Sequence, residues 1–143
     1  MQRIILLALF QFLLLTESAY CQSISIDYLR KSRWKLVSPD FSYYKEVSVE
    51  FTDVSILWSS YFIKQDKKIT WKYMYYVSNE VPKTFCKDKI ERNKEGKYIV
   101  FSHGTDKSMV WYRIDNVKDS AFSVTTHLGD RFVFRRIDKE LHR

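Results

Sequence analysis

From residue 34 onward, apolar and polar positions alternate in short runs separated by turn-forming residues. Side chains of an extended chain point to opposite faces with a period of two, so each run predicts a half-buried strand. The clearest is 45–51, where Val47, Val49 and Phe51 share a face. The run 34–37 precedes it and stops at Ser38-Pro39-Asp40, a turn signal. The run 55–64 places Ile56, Trp58, Ser60 and Phe62 together, and 69–77 does the same for Ile69, Trp71, Tyr73, Tyr75 and Val77. Four further strands are predicted at 97–102, 108–114, 121–127 and 131–137. The segments 52–53, 65–68, 103–107, 115–119 and 128–130 read as turns, and 78–93, which contains Pro82, as irregular. Before the strands, 24–31 predicts a short helix with Ile24, Tyr28 and Lys31 roughly on one face, Ile26 and Leu29 near it, and Ser25 as its cap.

Eight short strands at regular spacing are the pattern of an all-β sandwich or barrel. No helical segment long enough for a parallel crossover lies between them, so the sheet is antiparallel. Short turns between nearly all neighbours favour an up-and-down meander. Eight such strands can close on themselves, which removes their edges and leaves room for one small ligand. The expected fold is therefore all-β: an eight-stranded antiparallel up-and-down barrel whose short N-terminal helix caps one mouth.

The first 21 residues follow a different pattern. Arg3 supplies a positive charge, residues 4–15 are apolar apart from Gln11, and Thr16-Glu17-Ser18-Ala19-Tyr20-Cys21 is more polar. That order is a secretory signal, and the apolar run of about 12 residues falls short of the roughly 20 a spanning helix needs. Ala19 and Cys21 fit the small positions before a cleavage site, which makes residues 1–21 a signal peptide and 22–143 a single domain. Cys21 leaves a second outcome open. Cleavage before it would make it the lipidated first residue of a membrane-tethered lipoprotein, although the bulky Tyr20 fits a lipidation motif poorly. The expected location is periplasmic or secreted, with tethering as the alternative.

Composition narrows the chemistry. The net charge is +7, but the bases are dispersed among acids, as in residues 64–68 and 87–92, so nucleic acid is not an expected partner. Weak attraction to anionic membrane surfaces suits such a chain better. With Cys21 removed, Cys86 has no disulfide partner and reads as a small buried hydrophobe. The histidines His103, His127 and His142 show no metal-ligand spacing, and no Gly-x-Ser-x-Gly elbow is present. The chain is therefore expected to be no enzyme and to need no metal or cofactor. Aromatic residues are 17% of the chain, with ten Tyr, ten Phe and four Trp against three Gly and two Pro. Such residues favour strands. Alternation makes Trp58, Phe62, Trp71, Tyr73, Tyr75, Trp111, Phe122 and Phe132 candidates for the barrel interior. Arg113, on the face of Trp111, is a candidate to pair with a ligand carboxylate.

The segment from Leu29 through Ser32 and Trp34 to Leu36 resembles the opening Leu-x-Gly-x-Trp-x-Leu of lipocalin-like proteins, with Ser32 at the usual Gly. Residues 47–51, 96–100 and 131–137 are similar to strands of small bacterial lipocalin-like domains, which are calycin-type barrels. The resemblance implies that Trp34 closes one end of the barrel and that Arg135 or Arg136 packs over it. It implies a binding protein for a small hydrophobic ligand. The alternative is a barrel whose aromatics fill the interior, leaving a protein- or glycan-binding outer surface. Oligomeric state is not legible in either case.

Overall fold

The strands form where the alternation predicts them, and the barrel closes. The computed structural model describes residues 22–102 and 108–137. In chain order the elements are β1 (Ile24–Ser25), α1 (Ile26–Arg30), β2 (Arg33–Ser38), β3 (Tyr44–Phe51), β4 (Ser55–Phe62), β5 (Lys67–Ser78), a 3-10 turn (Lys87–Lys89), β6 (Glu95–Gly96), β7 (Tyr98–Ser102), β8 (Met109–Lys118), β9 (Ala121–Thr126) and β10 (Arg131–Ile137). Eight of the strands form an antiparallel meander in the order β2-β3-β4-β5-β7-β8-β9-β10, and β10 returns to pair with β2. The signal-peptide reading and Cys21 lie outside the described residues.

Two elements differ from expectation, each for a local reason. Residues 115–118 are strand, and the turn falls at 119–120. β8 continues to Lys118 across a bulge between Ile114 and Asn116, and Val117 pairs with Phe122. The extra residue, Asp115, interrupts the period of two, so Ile114 and Val117 both pack into the core at a spacing that looks irregular in sequence. At the N-terminus, Ile24 and Ser25 pair with Gly96 and Glu95 instead of beginning the helix. α1 then starts at Ile26, capped by Ser25 Oγ, which accepts from Tyr28 N at 3.1 Å.

The two ends of the barrel are unlike. The end bearing the turns 52–54 and 119–120 is plugged by α1 and its flanks. Ile24, Ile26, Leu29 and Trp34 are fully buried there. Tyr28 Oη donates to the carbonyls of Lys118 and Ala121, while Arg30 donates to those of Thr52 and Asp53. Helix and barrel rim are thereby tied on two sides. Trp34 Nε1 donates to Leu29 O at 2.8 Å, and its ring lies 5.0 Å from Tyr28 and 4.9 Å from Phe122. The Arg136 guanidinium sits 5.7 Å from the same ring, within cation–π reach. Of the two arginines offered for that role, Arg136 fills it; Arg135 is exposed on the outer wall. The other end carries the turns 39–43, 63–66 and 127–130, and among the described residues nothing plugs it.

Candidate functional site

The interior is half full. Towards the plug, Val49, Phe51, Ile56, Ile99, Phe122 and Phe134 meet with only about 10 Å3 of free space, at the lower limit for one water. Trp58, Phe101 and Tyr112 form the floor, because they line both this packed region and the space above it. Above the floor a cavity of about 470 Å3 opens to the outside, walled by Tyr44, Ser60, Trp71, Tyr73, Val110 and His127. Its size falls in the usual range for small-molecule sites, roughly 300–1,000 Å3.

The walls come from one face of several strands. Ile56 stands opposite Tyr73 and Trp58 opposite Trp71, while Tyr75 stands opposite Phe101 and Phe101 opposite Val110. The strands therefore present aromatic rings towards each other, and Tyr73, Phe101, Tyr112 and Phe132 form successive ring contacts at 5.0–5.9 Å. The polar atoms are hydroxyls and one imidazole; no lining residue is Asp, Glu, Lys or Arg. Burial pushes the Tyr112 phenol far above its ordinary value, with the neighbouring Tyr73 adding to the effect. Burial raises Tyr73 as well. Both hydroxyls are therefore neutral at physiological pH and can donate or accept one hydrogen bond from a guest.

The sequence-predicted candidates divide by position. Trp58 and Tyr73 line the cavity, and Trp71 stands at its lip. Phe62 is beside the lip, in edge contact with Tyr44 and Trp71. Phe132 supports the wall through Trp58 and Tyr112. Tyr75 and Phe122 are interior but belong to the packed half. Tyr75 is 1% exposed and donates to Thr52 O, while Phe122 stacks on Phe134. Trp111 and Arg113 are corrections: they point outward. Trp111 packs against Tyr98 on the outer wall and against His127 at the rim, and Arg113 pairs on that wall with Asp115 at 3.2 Å. The opposite face of β8, carrying Val110, Tyr112 and Ile114, faces in. Two charges on the face of Trp111, Arg113 and Asp115, were the signal in the sequence that this face is solvated. Tyr44, Phe101 and Val110 were not singled out because each sits at or near a strand end, where alternation is too short to assign a side.

Among the described residues no three His, Cys, Asp or Glu side chains converge, so none forms a candidate metal centre. A closed eight-stranded antiparallel barrel, plugged at one end and hollow at the other, has the form of a calycin-like cup. Comparison with protein families, curated proteins and solved structures gives no match.

Proposed function

We propose that this chain is an exported, lipocalin-like binding protein that holds a small hydrophobic ligand in the open half of its barrel. One observation carries the reading: the aromatics fill only the plugged half and leave a cavity of about 470 Å3 above the Trp58–Phe101–Tyr112 floor. A wall of rings and neutral hydroxyls suits an uncharged, largely apolar guest with one or two polar atoms, since a charged group would be desolvated without a counter-charge. In this reading the chain is no enzyme and uses no cofactor. Export rests on the signal-like order of residues 1–21, with Cys21 either removed or lipidated. Intact mass of the processed protein distinguishes these, since acylation adds several hundred daltons.

The test is a titration with the uncharged fluorophore N-phenyl-1-naphthylamine, read by its emission and by quenching of tryptophan. Saturable binding is expected, and Val110→Trp, which puts an indole into the cavity, should weaken it at least tenfold. Absence of saturable binding, together with no bound mass in native mass spectrometry of protein from its own host, would sink the reading. A second reading, a protein- or glycan-binding outer wall, is favoured by the edge-on cluster of Tyr98, Trp111 and His127. Trp111→Ala would then abolish partner capture and leave fluorophore binding intact.

A further inference from the structure

Among the described residues, large apolar side chains are left exposed mainly around the open mouth. Leu128 is 77% exposed on the turn 127–130, Ile63 53% on the turn 63–66, Tyr43 52% on the turn 39–43, and Trp71 37% at the lip. Tyr43, Ile63 and Leu128 stand on three separate hairpin tips beside the opening and Trp71 on its wall, not on one continuous face. A rigid protein partner needs a contiguous complementary patch, whereas a fluid surface can accept scattered tips. Tyr and Trp beside aliphatic tips are also the side chains that suit the membrane–water interface.

Next to this rim, on the outer wall of β2–β5, lies an open groove of about 360 Å3 lined by Arg33, Lys35, Lys45 and Lys68, with Glu46 as its one acid. Glu46 is already engaged by Arg33 at 3.3 Å, so the groove keeps an excess of positive charge. Beside Tyr61 it is lined by two small hydroxyls: Ser48 stands opposite Ser59, which bonds Thr70 behind it at 2.8 Å. Lys45 and Lys68 are at its rim end, near Ile63 and Tyr43, which are joined by the Ile63 N to Tyr43 O hydrogen bond. Small hydroxyls flanked by cations suit the oxygens of a phosphodiester. The outer wall of β10 and β2–β5, with Lys35, Ser48, Ser59, Thr70, Lys72 and Arg135, is the reverse of a membrane-spanning barrel's apolar exterior. Contact with a bilayer is thus confined to the rim.

We propose that the open rim docks on an anionic lipid bilayer, with Tyr43, Ile63, Trp71 and Leu128 entering the interface and lipid phosphates meeting Lys45 and Lys68. This surface does not rest on the cavity being occupied. If the cavity does hold a ligand, the docked mouth faces the bilayer, and an apolar guest can pass between them without crossing water.

Flotation of the full chain with vesicles of phosphatidylcholine, alone or with one quarter phosphatidylglycerol, tests this. Any affinity of residues 4–15 is common to all variants and appears as binding to phosphatidylcholine alone. The anionic lipid should raise the apparent affinity at least about tenfold. Lys45→Gln with Lys68→Gln should remove about fivefold per lysine, and Ile63→Asp with Leu128→Asp at least about tenfold. The pair Val54→Asp and Val81→Asp, exposed apolar residues at the plugged end, should change nothing; circular dichroism checks that every variant is folded. The proposal is overturned by no increment with anionic lipid, by an increment that survives both rim variants, or by an equal loss in the plugged-end pair. Displacement by inorganic phosphate at matched ionic strength would identify a free-anion site and overturn the lipid assignment. Docking without fluorophore binding would remove the cavity reading alone.

Discussion

Trp34 and Gly96 hold the plugged end by opposite means. Trp34 fills it, with an indole N–H satisfied by Leu29 O and faces covered by Tyr28, Phe122 and Arg136. Gly96 leaves space: a Cβ there would lie 2.5 Å from the backbone nitrogen of Ser78, closer than real contacts allow. Since the neighbour is backbone, it cannot swing aside. Trp34→Ala should cost about 3–5 kcal/mol of stability and Gly96→Ala about 1–3 kcal/mol, measured by urea unfolding. Unchanged stability in Gly96→Ala would show that β5 and β6 can separate freely. Trp34 was legible because it stands in a motif at fixed distance from Leu29 and Leu36. Gly96 was not, because its neighbour Ser78 is distant in sequence and the contact exists only once β5 and β6 are side by side.

At the level of elements, seven of the eight barrel strands were legible as far as their ends. In each of them a run of alternation is bounded by turn residues, and one face is turned to the barrel interior. β8 is the instructive exception. Its inward residues Tyr112, Ile114 and Val117 are out of step by one, and Asp115 is the residue that accounts for the step. Period-two reasoning therefore ended the strand too early and, with aromatics on both faces, favoured the wrong one. This account makes a sharp forecast. Deleting Asp115 removes the bulge but keeps Ile114 opposite Val124, Asn116 opposite Ser123 and Val117 inward. The deletion loses the Arg113–Asp115 ion pair and the Thr125–Asp115 hydrogen bond, both partly exposed. The barrel should stay folded, losing roughly 1–2 kcal/mol. Deleting Leu57, near the middle of β4, shifts the five residues after it, Trp58 to Phe62, to the wrong face and should abolish the cooperative transition. If the two deletions were equally damaging, the bulge would not be what sets the register of β8.

For the molecule as a whole, the sequence left open whether so many aromatics would fill the barrel or line a space. Residue types could not answer it, because filling depends on where the floor falls along strands whose stagger is set by closure. The answer, half packed and half hollow, makes buried tyrosine a property of the entire fold. Tyr73, Tyr75 and Tyr112 all have hydroxyls raised above the ordinary value of 10, chiefly because burial disfavours the phenolate. In the unfolded chain they release protons near pH 10, whereas in the folded barrel they hold them to higher pH. Above pH 10 the unfolded state therefore binds fewer protons, and stability falls as pH rises; below pH 10 the contribution is fully present. Each such group can contribute a slope of up to about 1.4 kcal/mol per pH unit while only its unfolded form titrates. Urea unfolding at pH 9, 10 and 11 should show a flat start and then a steep decline, with part of the phenolate absorbance at 295 nm appearing only with unfolding. Tyr112→Phe should shallow the decline, since it removes the hydroxyl that burial shifts most. A decline of the same steepness in Tyr112→Phe, or phenolate absorbance complete before the barrel unfolds, would mean that the floor admits solvent and that the packed half does not seal the base of the cavity.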